Sequence, residues 1–174
     1  SNLNKLFLTS NTVCEKHSFY NQYTYNFSNS FVRNFHHAHL NGEFANASLK
    51  GCFFLKNKNV CSNKTNIIHN AEHCISDQTY KGILNNQSKA NYYSNTFVSE
   101  NAQKTEGYQL SKGILLTDEC SFFSKPELRI FADDVKCSHG STIGPVDESA
   151  LFYLRSRGIN KNQAMKMIIS SFIE

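Results

Sequence analysis

Between residues 14 and 136 apolar and polar side chains alternate in short β-prone pieces separated by Asn, Ser and Gly, and no window longer than ten residues holds a helical period. The pieces that read as strands are 23–27, 30–35, 49–55, 65–69, 80–84, 92–98, 108–116 and 128–131. Short strands at near-regular spacing with neutral polar corners predict a sandwich, a barrel or a β-solenoid. The 21 Asn residues favour the solenoid. Asn accepts left-handed backbone at corners, and stacked amides hydrogen-bond from one coil to the next.

After Gly144 the period changes. Asp147 caps a predicted helix with Glu148 in its first turn, beside the positive end of the dipole; Gly158 stops it, and Ala150, Leu151 and Leu154 form its apolar face. Asn160 with Gln163 opens a second helix carrying Ala164, Met165, Ile168, Ile169 and Phe172 on one side. The expected organisation is a β body over 1–144 and a helical hairpin over 145–174.

Composition narrows the class. With 174 residues, 40% hydrophobic and only 18% charged, the chain suits one domain with a core and excludes a charged coiled coil. Fourteen Phe and eight Tyr against two Pro argue against disorder. No apolar run is long enough to span a membrane. The net charge of +4 comes from scattered Lys and Arg that do not interleave with aromatics in sequence, so no nucleic-acid partner is expected. The first residue is Ser rather than Met and no apolar leader follows, which reads as a processed product or an excised piece.

Six cysteines (Cys14, Cys52, Cys61, Cys74, Cys120 and Cys137) stand at long, irregular spacings, and the four Asn-x-Ser/Thr triplets match what chance gives in so Asn- and Ser-rich a chain. The thiols are expected to be reduced and mostly buried.

The chemistry-bearing residues are few. If 135–139 is extended, Cys137 and His139 share a face, because side chains alternate with period two, and offer half of a tetrahedral soft-metal site. His36, His37 and His39 have no carboxylate or thiol near them in sequence, and read as solvated or coil-stacking rings. His69 and His73 have the i, i+4 spacing of a helical metal pair in a stretch that reads as strand and turn. Asp133 and Asp134 point to opposite faces of a strand and make a poor acid–base pair; one of them orients a turn. Gly140 and Gly144 lack the Lys and hydroxyl of a phosphate-binding loop, so no nucleotide is expected on this chain, and there is no Gly-x-Ser-x-Gly elbow.

Taken together, KPELRIFADDVKCSHGSTIGPVDESALFYLRSRGI (125–159) closely resembles the carboxy-terminal signature of the SufB/SufD family, scaffold subunits of the SUF iron–sulfur cluster assembly machinery. HNAEHCISDQTYKGIL (69–84) and AQKTEGYQLSKGILLTD (102–118) are similar to further family segments, and HLNGEFANASLKGCFF (39–54) fits more loosely. The Lys-Cys-Ser-His-Gly run and the Leu-Arg-Ser-Arg-Gly ending resemble the family's SufD branch. Ser141, Pro145 and the stretch 91–95 depart from its pattern. The resemblance implies a right-handed parallel β-helix with a carboxy-terminal helical domain, in a cytosolic or organellar, non-enzymatic scaffold. It implies pairing with a SufB-type subunit, or with itself, through the β-helix, and docking of a SufC-type ATPase on the helices, with Phe152, Tyr153, Arg155 and Arg157 as contacts. A transient iron–sulfur cluster would form at the subunit interface, with Cys137 and His139 among its ligands. The residues alone leave two alternatives open: a β-helical carbohydrate-active enzyme, for which 14 Asp plus Glu supply few candidate carboxylate pairs, and a ligand-free structural solenoid.

Overall fold

A computed structural model describes residues 5–27 and 31–173. Ten strands come first: β1 (Lys5–Cys14), β2 (Phe19–Asn26), β3 (Phe31–Leu40), β4 (Asn46–Leu55), β5 (Val60–His69), β6 (Ile75–Leu84), β7 (Lys89–Val98), β8 (Glu106–Leu115), β9 (Ser121–Ile130) and β10 (Lys136–Pro145). Two helices follow, α1 (Glu148–Ser156) and α2 (Lys161–Ile173). The odd strands form one sheet, β1-β3-β5-β7-β9, and the even strands the other, β10-β8-β6-β4-β2. Every pairing is parallel and joins a strand to the one a full coil later, as Phe31 to Val60 and Val60 to Lys89. The molecule is a parallel β-solenoid of about five coils with two strands to a coil; the strand spacing alone leaves a sandwich or a barrel open, and the Asn content and the family resemblance point to this one.

Alternate side chains point between the sheets, and the register stacks like positions into columns. Three apolar clusters result. Val32, Phe53, Leu55, Tyr80, Leu84, Tyr92 and Phe122 fill one end of the coils; Cys14, Ala38, Leu40, Ala47, Leu49 and Ile67 fill the other end in the first coils, and Val98, Ala102 and Ala132 form a third, smaller cluster in the last ones. Between the two ends runs a polar seam. Asn34 Nδ2 donates to Asn63 Oδ1 at 2.8 Å, Thr65 Oγ1 lies 3.1 Å from the Tyr92 hydroxyl, and Gln78 and Gln109 both donate to Thr96 Oγ1, at 2.8 and 2.7 Å. Buried polar groups persist in a core because such bonds replace their lost hydration. Asn34–Asn63, Asn41–Asn70 and Asn66–Asn95 are the amide stacks expected between coils.

The corners are less as expected. Asn57 and Asn86 take left-handed backbone, but so do His17, Phe44, His73 and Lys104, all with φ between 57° and 60°. Those four form one column, held by backbone bonds that each reach to the next coil: His17 N to Glu43 O, Phe44 N to Glu72 O, His73 N to Gln103 O and Lys104 N to Asp134 O. His17, Phe44 and His73 also stack ring on ring, at 5.1 and 4.8 Å. The inter-coil bonds repeat one conformation whatever the side chain, and the stacked rings offset its steric cost.

Asp147 caps α1, accepting from Ser149 N at 2.9 Å and Ala150 N at 3.2 Å, and Gly158 leaves the helix at φ 85°. Gln163 N donates to Asn160 Oδ1 at 3.0 Å to open α2. Leu151 and Ala164 are buried where the helices meet. The end of α2 returns to the even-strand sheet, where Lys81 Nζ donates to Ile173 O at 3.2 Å.

Candidate functional site

The last even strand, β10, is the edge of its sheet, paired only to β8 among the described residues. Cys137 lies opposite Gly107 and His139 opposite Gln109. Gly107 and Gln109 are buried on the inner face of β8, so Cys137 and His139 share the inner face of β10, as their spacing predicted. No further coil among the described residues covers β10, so a face that is interior elsewhere is open here. His139 is exposed, and Cys137 is half-buried against Val98, Ala102, Ala132 and Val135.

Gly107 makes room for the thiol. A Cβ at position 107 would lie 3.3 Å from Cys137 Sγ and 3.6 Å from Ser76 Oγ, so both side chains border the same notch. Burial raises the Cys137 pKa, opposed by a hydrogen bond from the Gly107 backbone. At neutral pH the sulfur carries its proton until a ligand displaces it. Beneath His139, Gln109 is fully engaged: its Nε2 donates to Thr96 Oγ1 and to Glu127 O, at 2.7 and 3.1 Å, and its Oε1 accepts from Ser94 Oγ at 3.0 Å. That network is a rigid floor, whereas no hydrogen bond to a described residue holds the imidazole. Lys136 pairs with Glu106 on the outer rim at 3.1 Å, and this ammonium holds the carboxyl below its usual range.

The remaining sequence candidates do not gather here. His36 is buried rather than solvated, with Nδ1 2.8 Å from Ser10 Oγ and 2.6 Å from Gln22 Nε2. His37 and His39 stack on the outer face, 6.4 Å between centroids. His69 and His73 part company, one buried at the end of β5 and the other exposed in a turn. Asp134 shapes its turn, accepting from Lys104 at both its carboxylate and its backbone carbonyl. All six cysteines are unpaired, and all but Cys137 are buried. No group of three or more His, Cys, Asp or Glu among the described residues is placed to hold a metal, so Cys137 and His139 are a pair and not a closed site.

Sequence reasoning missed His69 and Ser76 as neighbours of the notch. His69 Nε2 lies 2.9 Å from Ser76 Oγ. The signal was there: both sit at inward positions flanking one turn, seven residues apart. On the helices, Phe152 and Tyr153 are 74% and 57% exposed, so neither packs onto α2, and the Arg157 guanidinium lies 5.3 Å from the Tyr153 ring centroid.

Residues 4–172 match the profile described as SUF system FeS cluster assembly, SufBD core domain. The chain is 38% identical over 133 residues to the iron–sulfur cluster assembly protein SufD of Escherichia coli, covering 76% of this chain and 31% of that protein. It is 36% identical over 118 residues to an iron–sulfur cluster assembly SufBD family protein of Synechocystis, covering 68% and 26%. Over 98 residues it is 42% identical to the chloroplastic protein ABCI7 of Arabidopsis thaliana, covering 56% and 21%. These alignments span about a third or less of each relative's length.

Proposed function

The chain belongs to the SufBD core family of the SUF iron–sulfur cluster assembly system, and from that premise we propose that it acts as a SufD-type scaffold. It pairs through its solenoid with a SufB-type subunit or a second copy, and docks a SufC-type ATPase on its helices. The cluster is cargo, built at the subunit interface and passed on. The observation that carries this reading is the position of Cys137 and His139: a thiol and an imidazole on one inner face of an edge strand, at the uncovered end of the solenoid. A scaffold that must release its cluster needs fewer than four strong ligands of its own, and a partner at the open end supplies the rest. Such a protein would work in a bacterial cytosol or an organelle stroma; no helix among the described residues is long and apolar enough to cross a membrane.

The test is anaerobic reconstitution of the full-length protein with iron and sulfide, with SufB-type and ATPase partners present, followed by ultraviolet–visible spectra. Cys137→Ala and His139→Ala should each reduce the sulfide-to-iron charge-transfer bands while leaving far-ultraviolet circular dichroism unchanged. Undiminished bands in both variants remove these residues from the site. For the helices, Arg155→Glu should weaken ATPase capture in a pull-down, and retained capture excludes a charge contact there.

A further inference from the structure

We propose that the outer face of the odd-strand sheet carries a binding site for a small planar aromatic anion, separate from the open end of the solenoid. The register builds it from residues far apart in sequence. Phe7, Arg33 and Ser62 stand side by side in one outward column, and Thr9, Phe35, Lys64 and Tyr93 in the next. A surface pocket of about 360 Å³ lies there, lined by Phe7, Arg33, Phe35, Ser62, Lys64 and Tyr93 among others. From β1 to β7 is three inter-strand steps, so the pocket runs roughly 14 Å along the solenoid axis. Its volume falls in the range of small-ligand sites, roughly 300–1,000 Å³.

The lining selects the ligand class. Its charged side chains, Arg33 and Lys64, are both cations, and neither forms an ion pair among the described residues, whose four ion pairs engage Lys16, Lys104, Arg129 and Lys136 instead. No carboxylate among the described residues lines the pocket, so an anion is favoured there. The walls are rings: Phe7 is 61% and Tyr93 38% exposed, and Lys64 Nζ stands 5.0 Å from the centroid of the half-buried Phe35. Rings so arranged accept a planar guest by offset stacking, while a guanidinium and an ammonium reach its charged substituent. The Ser62 hydroxyl adds one directional hydrogen bond. An aryl carboxylate, sulfonate or phosphate has this chemistry. The cleft beside α2, lined by Tyr23, Tyr25, Lys50 and Lys81, is less suited to an anion, since Lys81 Nζ already donates to the Ile173 carbonyl.

The experiment is isothermal titration of the full-length protein with naphthalene-1-sulfonate. Saturable binding is expected, weakened about tenfold or more in the Arg33→Gln/Lys64→Gln double variant and also weakened in Tyr93→Ser. Tyr23→Ser, on the other sheet, should leave it unchanged, and inorganic sulfate at equal concentration should not compete. The mutated side chains are exposed, so circular dichroism should show each variant folded. Absence of saturable binding, unaltered affinity in the double variant, or competition by sulfate as strong as by a second aryl sulfonate each overturns the proposal.

Discussion

His69 shows how position in a coil rewrites the chemistry of a residue. Its ring is fully buried, one nitrogen beside Ser76 Oγ, and desolvation draws its pKa down from 6.5 to about 4. A folded-state pKa below the unfolded one means that the native state binds the proton less readily than the unfolded chain. This contribution to stability is complete above pH 6.5 and is lost as pH falls toward 4, at most about 3 kcal/mol from this group. Burial shifts His36 in the same direction. Denaturant unfolding between pH 7.5 and 4 should show the loss, and His69→Gln should flatten its slope; an equal slope in the variant removes His69 as a cause. Gly42 is decided by space instead. A Cβ there would lie 1.9 Å from the Lys16 backbone nitrogen, where one corner rests on the corner before it, whereas at Gly144 nothing lies within 4 Å. Gly42→Ala should therefore destabilise by about 1–3 kcal/mol and Gly144→Ala by far less, as read from denaturation midpoints. A Gly had to stand at one of these positions and not at the other, and nothing in the local sequence distinguishes them.

At the scale of elements, the strands were legible where their inward residues are apolar. The stretch 49–55 was found because Leu49, Phe53 and Leu55 alternate inward, but β4 begins three residues earlier, at Asn46. β5 begins at Val60 and not at 65, because Asn63 is an inward residue satisfied by Asn34 of the coil before. Polar interior positions erase the alternation of hydrophobicity while the pleat continues, and β1, which lies before the predicted stretch, was not found at all. The helices read better, since their caps are local. The Asp147 side chain satisfies two otherwise free backbone donors of α1, and Asp147→Ala should cost about 1 kcal/mol. Because the cap serves only α1, amide exchange should quicken there and stay constant in β3 to β8; uniform quickening would mean that the hairpin and the solenoid open together.

At the scale of the whole molecule, strand β10 leaves one row of backbone groups without a strand partner among the described residues, beside Cys137 and His139. Pairing of the open end with a SufB-type subunit should slow amide exchange in β10 and leave β2, at the opposite edge of the same sheet, unaffected. Unchanged exchange in β10 would locate the partner elsewhere. Strand alternation was sufficient to put Cys137 and His139 on one face, and capping chemistry to put Asp147 and Asn160 at the helix starts, since those relations span only a few neighbours. Sequence by itself thus determined a β-rich body, a helical hairpin and the thiol–imidazole pair, because period two, period 3.6 and capping chemistry are local. Only the tertiary structure decided that the pair meets an uncovered end, that Ser76 borders its notch, that Phe44 and Lys104 adopt left-handed corners, and that Phe7, Arg33, Lys64 and Tyr93 line one pocket. These relations come from parallel stacking of strands about 29 residues apart, a register set by how whole coils fit and not by any neighbour along the chain.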